Sequence, residues 1–372
     1  MLACLRRFCR LIERYCSRRI DGAIQPATCH MSQNEGRGPR KKRSHGGPPI
    51  GESKKKYAKE EAESRDRAFA RFSQPEKPMA FPDGDLSPKI IDVEWPTNPV
   101  PLKAEAEAIS KVVKKGEWGW LTDEQVDTLK NEIKDLSISL DQALSLRSAI
   151  LQEKSVYGFR TLQNKALHMK RLYENGDDIV ALSKRFDFPP MNLFRAILKA
   201  RGWSKSKIKE SLRAPEKRLN ERDLKQFKKA EKADRVSNVD QSETQERAET
   251  FEDVLCNYFD SKGVRYRTQA QISSEQMAEH GRPVKTPDIL LLDDVRIDGE
   301  PIGWVDAKHY YGADVGFQRK KTIKQMARYV EEWGQGAIVF RHGFCANLHI
   351  PSTILLDSSP LDLSPLQKKV DS

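Results

Sequence analysis

The feature that most constrains the fold is a pair of strongly apolar segments near the C-terminal end of the chain. ILLLDDVRI (289–297) and IGWVDAKHYY (302–311) are separated by little more than Asp-Gly-Glu-Pro. Runs of this apolarity are typical of strands that are covered on both faces. An Asp-Gly pair between such runs favours a tight hairpin turn. The sequence therefore predicts a hairpin inside a sheet, with helices packed on both sides.

The region around this hairpin alternates between helical and strand patterns. Apolar residues recur at helical spacing on either side of it, and shorter apolar runs have strand character. The predicted elements are a helix over 246–263, strands over 264–272, 285–297 and 302–311, a helix over 321–334 and a strand over 336–344. Their order predicts an α+β domain of αβββαβ type over residues 246–358, followed by a tail at 359–372.

Four charged side chains are placed on this frame. Asp288 begins one strand of the hairpin, Asp306 and Lys308 lie two residues apart on the other, and Glu252 lies on the preceding helix. A spacing of two puts Asp306 and Lys308 on the same face of their strand. Carboxylates hold a hard divalent cation such as Mg²⁺, which polarises a phosphate and lowers the pKa of a bound water. A nearby lysine can orient that water and offset charge on the phosphoryl oxygens.

A Pro-Asp followed by Asp-x-Lys is a short pattern that also occurs by chance. Here Asp306 and Lys308 interrupt an apolar strand, where charges are costly unless they bind a metal or each other. The sequence therefore predicts a magnesium-dependent site for phosphodiester hydrolysis. A buried Asp–Lys pair without a catalytic role is the alternative.

These residues resemble a known family, the codanin-interacting nucleases, a Thr-Pro-Asp branch of the PD-(D/E)XK nuclease superfamily. The resemblance covers roughly residues 160–358. It rests on Phe251-Glu252, Thr286-Pro287-Asp288, the segment Trp304-Val305-Asp306-Ala307-Lys308 and the trailing Gly312. Animal members of the family tend to carry Glu where Asp306 stands, which is an equivalent ligand on a longer side chain.

The resemblance implies a restriction-endonuclease-like core and a metal-dependent DNA nuclease acting in the nucleus. Asp288, Asp306 and Glu252 would bind Mg²⁺, for which Mn²⁺ can substitute, and Lys308 would position the attacking water. Gln325 and Tyr329 are similar to the QxxxY motif of RecB-type nucleases and share one helical face. A codanin-like protein partner is implied for animal relatives.

Positive charge is concentrated in one block ahead of this domain. The chain carries 65 Lys and Arg against 54 Asp and Glu, a net charge of +11, and residues 160–235 alone hold 21 against 10. Such a block suits contact with a phosphate backbone. Within it, residues 156–213 predict a helix-turn-helix module, whose last helix leaves Arg195, Lys199 and Arg201 available for DNA. An ordinary three-helix bundle with a solvated basic surface is the alternative.

Residues 1–85 are rich in Gly, Pro, Ser and charge and predict a disordered basic arm. A lead-in at 81–101 and a small helical unit at 101–152 follow it, and a basic helix and linker are predicted over 214–245. No apolar run is long enough to cross a bilayer.

The basic run PRKKR at 39–43 favours the nucleus. The Arg-rich first twenty residues favour a mitochondrial transit peptide instead, unless translation starts at Met31. The predicted function is a DNA nuclease. The open alternatives are a catalytically inactive DNA-binding protein and a partner-binding protein on a nuclease fold.

Overall fold

A computed structural model describes residues 50–70, 88–234 and 241–367. The expectations for residues 1–49, including the transit segment and the basic run at 39–43, lie outside these residues. The fold is mixed, with many helices around one mostly parallel sheet. None of the helices in the described ranges has the length and apolarity required to span a membrane.

The elements follow one another in chain order, and helices and strands are numbered separately. The helices are α1 (Ile50–Ala70), α2 (Leu102–Val112), α3 (Asp123–Ile133), α4 (Leu140–Glu174), α5 (Ile179–Phe186), α6 (Pro190–Ala200), α7 (Lys205–Arg213), α8 (Pro215–Arg218), α9 (Glu221–Lys232), α10 (Gln241–Ser261), α11 (Gln269–His280), α12 (Gly316–Trp333) and α13 (Ser364–Gln367). The strands are β1 (Ile90–Val93), β2 (Tyr266–Thr268), β3 (Ile289–Ile297), β4 (Glu300–Lys308), β5 (Gly336–Phe340) and β6 (Thr353–Asp357).

The sheet is built around the predicted hairpin. Its strand order is β1-β3-β4-β5-β6, and β2 pairs with β3 beside β1. Strands β3 and β4 are antiparallel, whereas β4–β5, β5–β6 and β1–β3 are parallel. The hairpin turn has positive φ at both central residues, 53° at Asp298 and 82° at Gly299. That conformation is the one for which Asp-Gly is selected in two-residue hairpins, and the predicted hairpin is confirmed.

Alternating residues of the strands bury two separate cores, one on each face of the sheet. Leu290, Trp304 and Ile338 face α12 and the helices α2 to α4. The residues between them in the strands, such as Ile289 and Val305, face α10 and α13. Because the side-chain period of a strand is two, Asp306 and Lys308 lie on the Trp304 face, toward α12. His309 lies on the opposite face, toward α10.

Residues before position 246 contribute to the same sheet and core, contrary to the predicted domain boundaries. The predicted lead-in supplies β1, which pairs with the end of β3. The predicted small helical unit at 101–152 is not separate, since its apolar residues belong to the core that contains Trp304. Buried Glu105 accepts a hydrogen bond from the Tyr311 hydroxyl at 2.7 Å and another from the Asp314 amide at 3.1 Å. Neither contact is visible in local sequence patterns.

The basic block folds around a third core, which is made by the second half of α4 together with α5 to α9. The two short helices and the tight turn predicted here are present, with Asp178 as the N-cap of α5 and Pro190 as the first residue of α6. The predicted boundary at residue 213 is wrong, because Phe227 and Ala230 of α9 are buried in this core.

Helix α4 runs for 35 residues and crosses the boundary predicted between the helical unit that ends at 152 and the module that begins at 156. Gly158 lies in the middle of it. A Cβ at that position would come within 2.7 Å of the Phe188 ring, so the glycine allows a close tertiary approach and does not end the helix. The sheet core and the basic helical module therefore share one continuous helix.

Two further local predictions are corrected by the structure. The strand predicted over 264–272 ends at Thr268, which caps α11 through a capping box with Gln271. The tail predicted at 359–372 is partly ordered, because Leu361 and Leu366 are buried against the sheet. Residues 368–372 lie outside the described ranges.

The predicted disordered arm is wrong for residues 50–70, which form α1. Arg65 of α1 pairs with Glu300 at 2.9 Å, and the Ser64 carbonyl accepts a hydrogen bond from the Gln335 amide at 3.1 Å. Ala68 is fully buried. Although the helix is polar along most of its length, tertiary contacts to the sheet hold it in place.

The Glu105–Tyr311 hydrogen bond can be used to test whether packing of the helical unit at 101–152 against the sheet stabilises the fold. We expect Tyr311→Phe to lower the free energy of unfolding by about 1–3 kcal/mol, because it removes one partner of a buried carboxylate. Urea unfolding measures the change. Tyr157→Phe is the control, since Tyr157 is 55% exposed, and equal stability of the two variants would contradict the coupling.

Candidate active site

The antiparallel pairing of β3 with β4 brings the predicted carboxylates together. Ile289 pairs with Val305, so Asp288 lies beside the end of β4. The Ala307 amide donates to Asp288 Oδ2 at 2.7 Å. Asp306 and Lys308 flank that amide on the same strand. The geometry therefore places Asp288, Asp306 and Lys308 in one cluster at the end of the hairpin.

Asp288 is held in place by the first residue of α11. Gln269 donates from its side chain to Asp288 Oδ1 at 2.8 Å, and its backbone amide donates to the Asp288 carbonyl at 2.9 Å. The sequence analysis did not identify Gln269. The capping box formed by Thr268 and Gln271 is the signal that would have located this helix start next to the site.

Asp306 is 1% exposed and forms an ion pair with Lys308. Gln325 donates to Asp306 Oδ2 at 3.0 Å. Oδ1 lies against the Lys308 ammonium without an aligned hydrogen bond from any described residue. Burial alone would lower the pKa of Lys308, but the Asp306 and Asp288 carboxylates outweigh it and raise that pKa above its ordinary value. The amine is therefore a fixed positive charge inside the cluster.

Helix α12 connects this cluster to the Thr-Pro-Asp segment. Gln325 and Tyr329 lie one turn apart on the same face, with Gln325 Nε2 at 3.5 Å from the Tyr329 hydroxyl. That hydroxyl donates to the Thr286 carbonyl at 3.0 Å, and the Tyr329 ring packs edge-on against Trp304. Gln325 touches the buried carboxylate, whereas Tyr329 fixes the loop that carries Asp288. Both residues are brought into the site.

Glu252 on α10 belongs electrostatically to the same cluster. Burial, followed by the neighbouring Asp306 carboxylate, raises the pKa of Glu252 to about 7. Desolvation and then the Asp306 charge also raise the pKa of Asp288 well above its ordinary value. Partial desolvation and the Lys308 ammonium lower the pKa of Lys321 on α12, which places a second lysine near the site. Three carboxylates around Lys308 leave an excess of negative charge that a cation would neutralise.

The donor set is compatible with a hard divalent cation. All the candidate ligands are carboxylate oxygens, and Asp306 Oδ1 is buried without an aligned hydrogen bond. No set of three or more His, Cys, Asp or Glu side chains forms a ready-made metal cage within the described ranges. Magnesium is commonly held by one or two carboxylates while it keeps several waters. The residues present therefore fit a site in which Asp288 and Asp306 would bind Mg²⁺. Glu252 would bind the ion directly or through a water molecule.

The three residues predicted to contact DNA belong to the helical module and not to this cluster. Helix α6 buries seven of its eleven residues, which leaves only a narrow outward stripe. Lys199 is exposed and donates to Gln163 on α4, and Arg195 is half-buried with a hydrogen bond to Asn192.

Arg201 was predicted to be available outward, and this is wrong. Its guanidinium donates to the buried Asp223 carboxylate at 2.7 Å and pairs with Glu174 at 3.3 Å. It also stacks over the Tyr173 ring. The residue lies at the C-cap of α6, where it joins α4, α6 and α9.

A family of known sequences matches the part of the chain that contains this cluster. Residues 219–359 match a family described as "Protein of unknown function TPD sequence-motif". Over 119 residues the chain is 35% identical to "Uncharacterized protein L539" of Acanthamoeba polyphaga mimivirus. That similarity covers 31% of this chain and 42% of the viral protein, less than half its length. No solved structure matches the chain.

The raised pKa of Glu252 predicts how stability depends on pH. Between about pH 5 and pH 7 the folded protein keeps a proton on Glu252 that the unfolded chain has lost, so the free energy of unfolding falls as pH rises through this window. We expect Glu252→Gln to reduce that fall, measured by urea unfolding in the presence of a chelator. Glu132→Gln on the exposed face of α3 is the control. Equal pH dependence in both variants would contradict the assignment.

Proposed function

We propose that the chain is a metal-dependent nuclease that hydrolyses phosphodiester bonds in DNA. The observation that carries the proposal is Asp306, a buried aspartate paired with Lys308 and placed beside Asp288 by the β3–β4 hairpin. One buried and two half-buried carboxylates around one lysine are unfavourable unless a cation neutralises their excess negative charge. Hydrolysis of a phosphodiester needs this combination of cation ligands and a positioned amine.

The arrangement of the sheet supports a PD-(D/E)XK core. The acidic and basic groups lie on an antiparallel hairpin, one strand of which pairs in parallel with β5 after the crossover through α12. The α12 residues Gln325 and Tyr329 approach the site from that crossover. On this proposal the hairpin supplies the ligands, and α10 and α12 supply the groups that surround them.

Each side chain has a distinct proposed role. Asp288 and Asp306 hold Mg²⁺ or Mn²⁺, and Glu252 completes the ligand set directly or through water. When bound, the ion polarises the scissile phosphate and lowers the pKa of a coordinated water. Lys308 orients the attacking water and offsets the charge that grows on the phosphoryl oxygens. Gln325 keeps the Asp306 carboxylate oriented.

We further propose that the basic helical module holds the DNA while the sheet domain cuts it. Its excess of positive charge is suited to the phosphate backbone, and α4 joins it rigidly to the sheet core. The same charge would also suit a catalytically inactive DNA-binding protein. The intact Asp288, Asp306 and Lys308 cluster favours the nuclease.

The resemblance to codanin-interacting nucleases also concerns the cellular location of the protein and its protein partner. It implies action in the nucleus and, for an animal protein, a codanin-like partner. The match over residues 219–359 is compatible with the Thr-Pro-Asp branch of the superfamily, because Thr286-Pro287-Asp288 lies inside it.

The nuclease activity is tested by incubating the full chain with single-stranded, duplex and branched DNA, with Mg²⁺, with Mn²⁺ and with a chelator. We expect cleavage that requires the ion. Lys308→Met should lower the rate about 100-fold or more, because it removes the charge closest to the developing negative charge. Asp306→Asn should abolish cleavage while keeping the size of the side chain.

Asp127→Asn is the matched control, since Asp127 is exposed on α3. Thermal unfolding of each variant separates loss of activity from loss of folding. If folded Asp306→Asn and Lys308→Met cleave every substrate as fast as the control, the catalytic assignment is wrong.

Lys199 tests the DNA contact of the helical module. If Lys199 neutralises one phosphate, Lys199→Ala should weaken binding most at low salt and reduce the salt dependence of log K by about 0.9. Fluorescence anisotropy at several salt concentrations measures both. Lys103→Ala on α2 is the control, since Lys103 is 89% exposed and lies outside the basic block. Identical salt slopes in the two variants would remove Lys199 from the interface.

A further inference from the structure

The middle of helix α4 carries large apolar side chains that neither of the adjoining cores covers. Val156, Tyr157 and Phe159 are between 42% and 55% exposed, although the helix is packed into a core at each of its ends. Single exposed apolar residues are common on protein surfaces, whereas several neighbouring ones indicate a surface that binds another molecule. The proposed catalytic mechanism uses none of these side chains.

The start of α12 packs against this part of α4. The Phe317 amide donates to the Glu153 carboxylate at 2.6 Å, which satisfies one of the open amide groups at the beginning of the helix. The rings of Phe317 and Tyr157 meet edge to face, with centroids 6.4 Å apart. Phe317 is half-buried. An aromatic pair, with one ring from each helix, is therefore held at the junction of α4 and α12.

Helix α12 connects this aromatic pair to the proposed active site. Lys321 lies one turn after Phe317, and Gln325 lies one turn after Lys321, so the three follow one another along the helix surface. Gln325 donates to the Asp306 carboxylate at 3.0 Å. The rise from Phe317 to Gln325 is about 12 Å, which a stacked strand covers with about three or four nucleotides at about 3.4 Å each. A strand that is cut at Asp306 therefore reaches the aromatic pair.

The charges around the aromatic pair suit a nucleic acid. From position 154 to position 171, α4 carries five Lys and Arg residues and no Asp or Glu, and among them Arg160 is exposed one turn after Tyr157. The Glu153 carboxylate is engaged by the Phe317 amide. Aromatic rings among basic side chains are typical of single-strand binding, in which the charge attracts the backbone and the bases stack on the rings. Lysine, in contrast, is depleted in protein–protein interfaces.

We propose that Tyr157 and Phe317 bind an unpaired base of the substrate strand, a few nucleotides from the phosphate that is cut. This rests on the proposed nuclease function and names its substrate class, which is DNA with a single-stranded region, an overhang or a flap beside the cut. Tyr157 offers the ring on which the base stacks, because more than half of its surface is exposed, and Phe317 supports that ring edge-on. The bases of a blunt duplex are already paired and stacked, so such a duplex gains nothing from this contact.

The test measures binding to the full chain in a chelator, so that no strand is cut. The probes are a single strand, a blunt duplex, and the same duplex with an unpaired 5′ or 3′ end. A further series of single strands carries an abasic site at one position at a time. Tyr157→Ala removes the ring and Tyr157→Phe retains it. Leu102→Ala on α2 is the control, since Leu102 is 49% exposed and lies outside the basic block.

We expect Tyr157→Ala to weaken binding of the single strand and of one overhang probe about tenfold, the loss typical of one base–aromatic stack. Binding of the blunt duplex should not change, and Tyr157→Phe and Leu102→Ala should bind every probe as the parent does. An abasic site at one position should weaken the parent by a similar factor and leave Tyr157→Ala unaffected, because both changes remove the same contact. The overhang that responds gives the direction in which the strand crosses the site.

Two binding results would overturn the proposal. One is equal binding of all probes by Tyr157→Ala and Leu102→Ala. The other is an equal loss with the blunt duplex, which would assign Tyr157 to a general contact with the DNA backbone. Sedimentation tests the other occupant of this surface. If Tyr157→Ala leaves DNA binding unchanged and converts an oligomer into a monomer, the exposed side chains are a contact between copies of the chain, and the proposal is wrong.

Thermal unfolding separates a loss of stacking from a loss of folding. Because Tyr157 is largely exposed, Tyr157→Ala should melt close to the parent temperature. If it does not fold, Tyr157→Leu keeps an apolar contact with Phe317 without a ring and takes its place in the same comparison. Cleavage with no effect of Tyr157 on any probe contradicts this inference alone. A Tyr157-dependent preference for unpaired strands in a chain that does not cleave contradicts the nuclease proposal alone.

Discussion

The hydrogen bond from the Ala307 amide to the Asp288 carboxylate is the contact on which the proposed site depends. It forms because Ile289 pairs with Val305, in a register that an irregularity between Leu290 and Val295 shifts from the one beside the Asp298–Gly299 turn. A shift of one residue would turn Asp306 and Lys308 away from α12 and toward the opposite core. The apolar residues of both strands prevent that shift, because each face of the sheet buries its own set. The packing that stabilises the sheet therefore also positions the charged groups.

Around this hairpin, burial raises the energy of the ionised carboxylates. Side chains from β4 and α12 compensate for part of that cost. Lys308 neutralises one charge and Gln325 orients the Asp306 carboxylate, but the pKa values of Glu252 and Asp288 remain raised. A divalent cation would lower both by favouring the ionised forms. On the other side of β4, Arg341 lies against His309.

The sequence predicts the parts of this arrangement that are local. The two-residue spacing of Asp306 and Lys308 and the Asp-Gly turn predicted the hairpin that carries the three groups, and the Gln325–Tyr329 spacing predicted a helix beside them. The irregular pairing between Leu290 and Val295, which sets the register at Asp288, was not predicted. Contacts between distant segments left no local pattern. Arg341 reaches His309 because β4 and β5 are parallel neighbours joined by a long crossover. No local pattern indicated that Gly158 lies against Phe188. Arg201 was predicted to point outward because its partner Asp223 is distant in the sequence.

The measurement that tests the central claim most directly is the location of a bound divalent ion. Crystals of the full chain grown with Mn²⁺, which gives an anomalous signal, would show where the ion lies. The account predicts one strong peak in contact with carboxylate oxygens of both Asp288 and Asp306, and its loss in Asp306→Asn. A protein that shows no peak at these carboxylates under saturating Mn²⁺, or that retains the peak in Asp306→Asn, would contradict it.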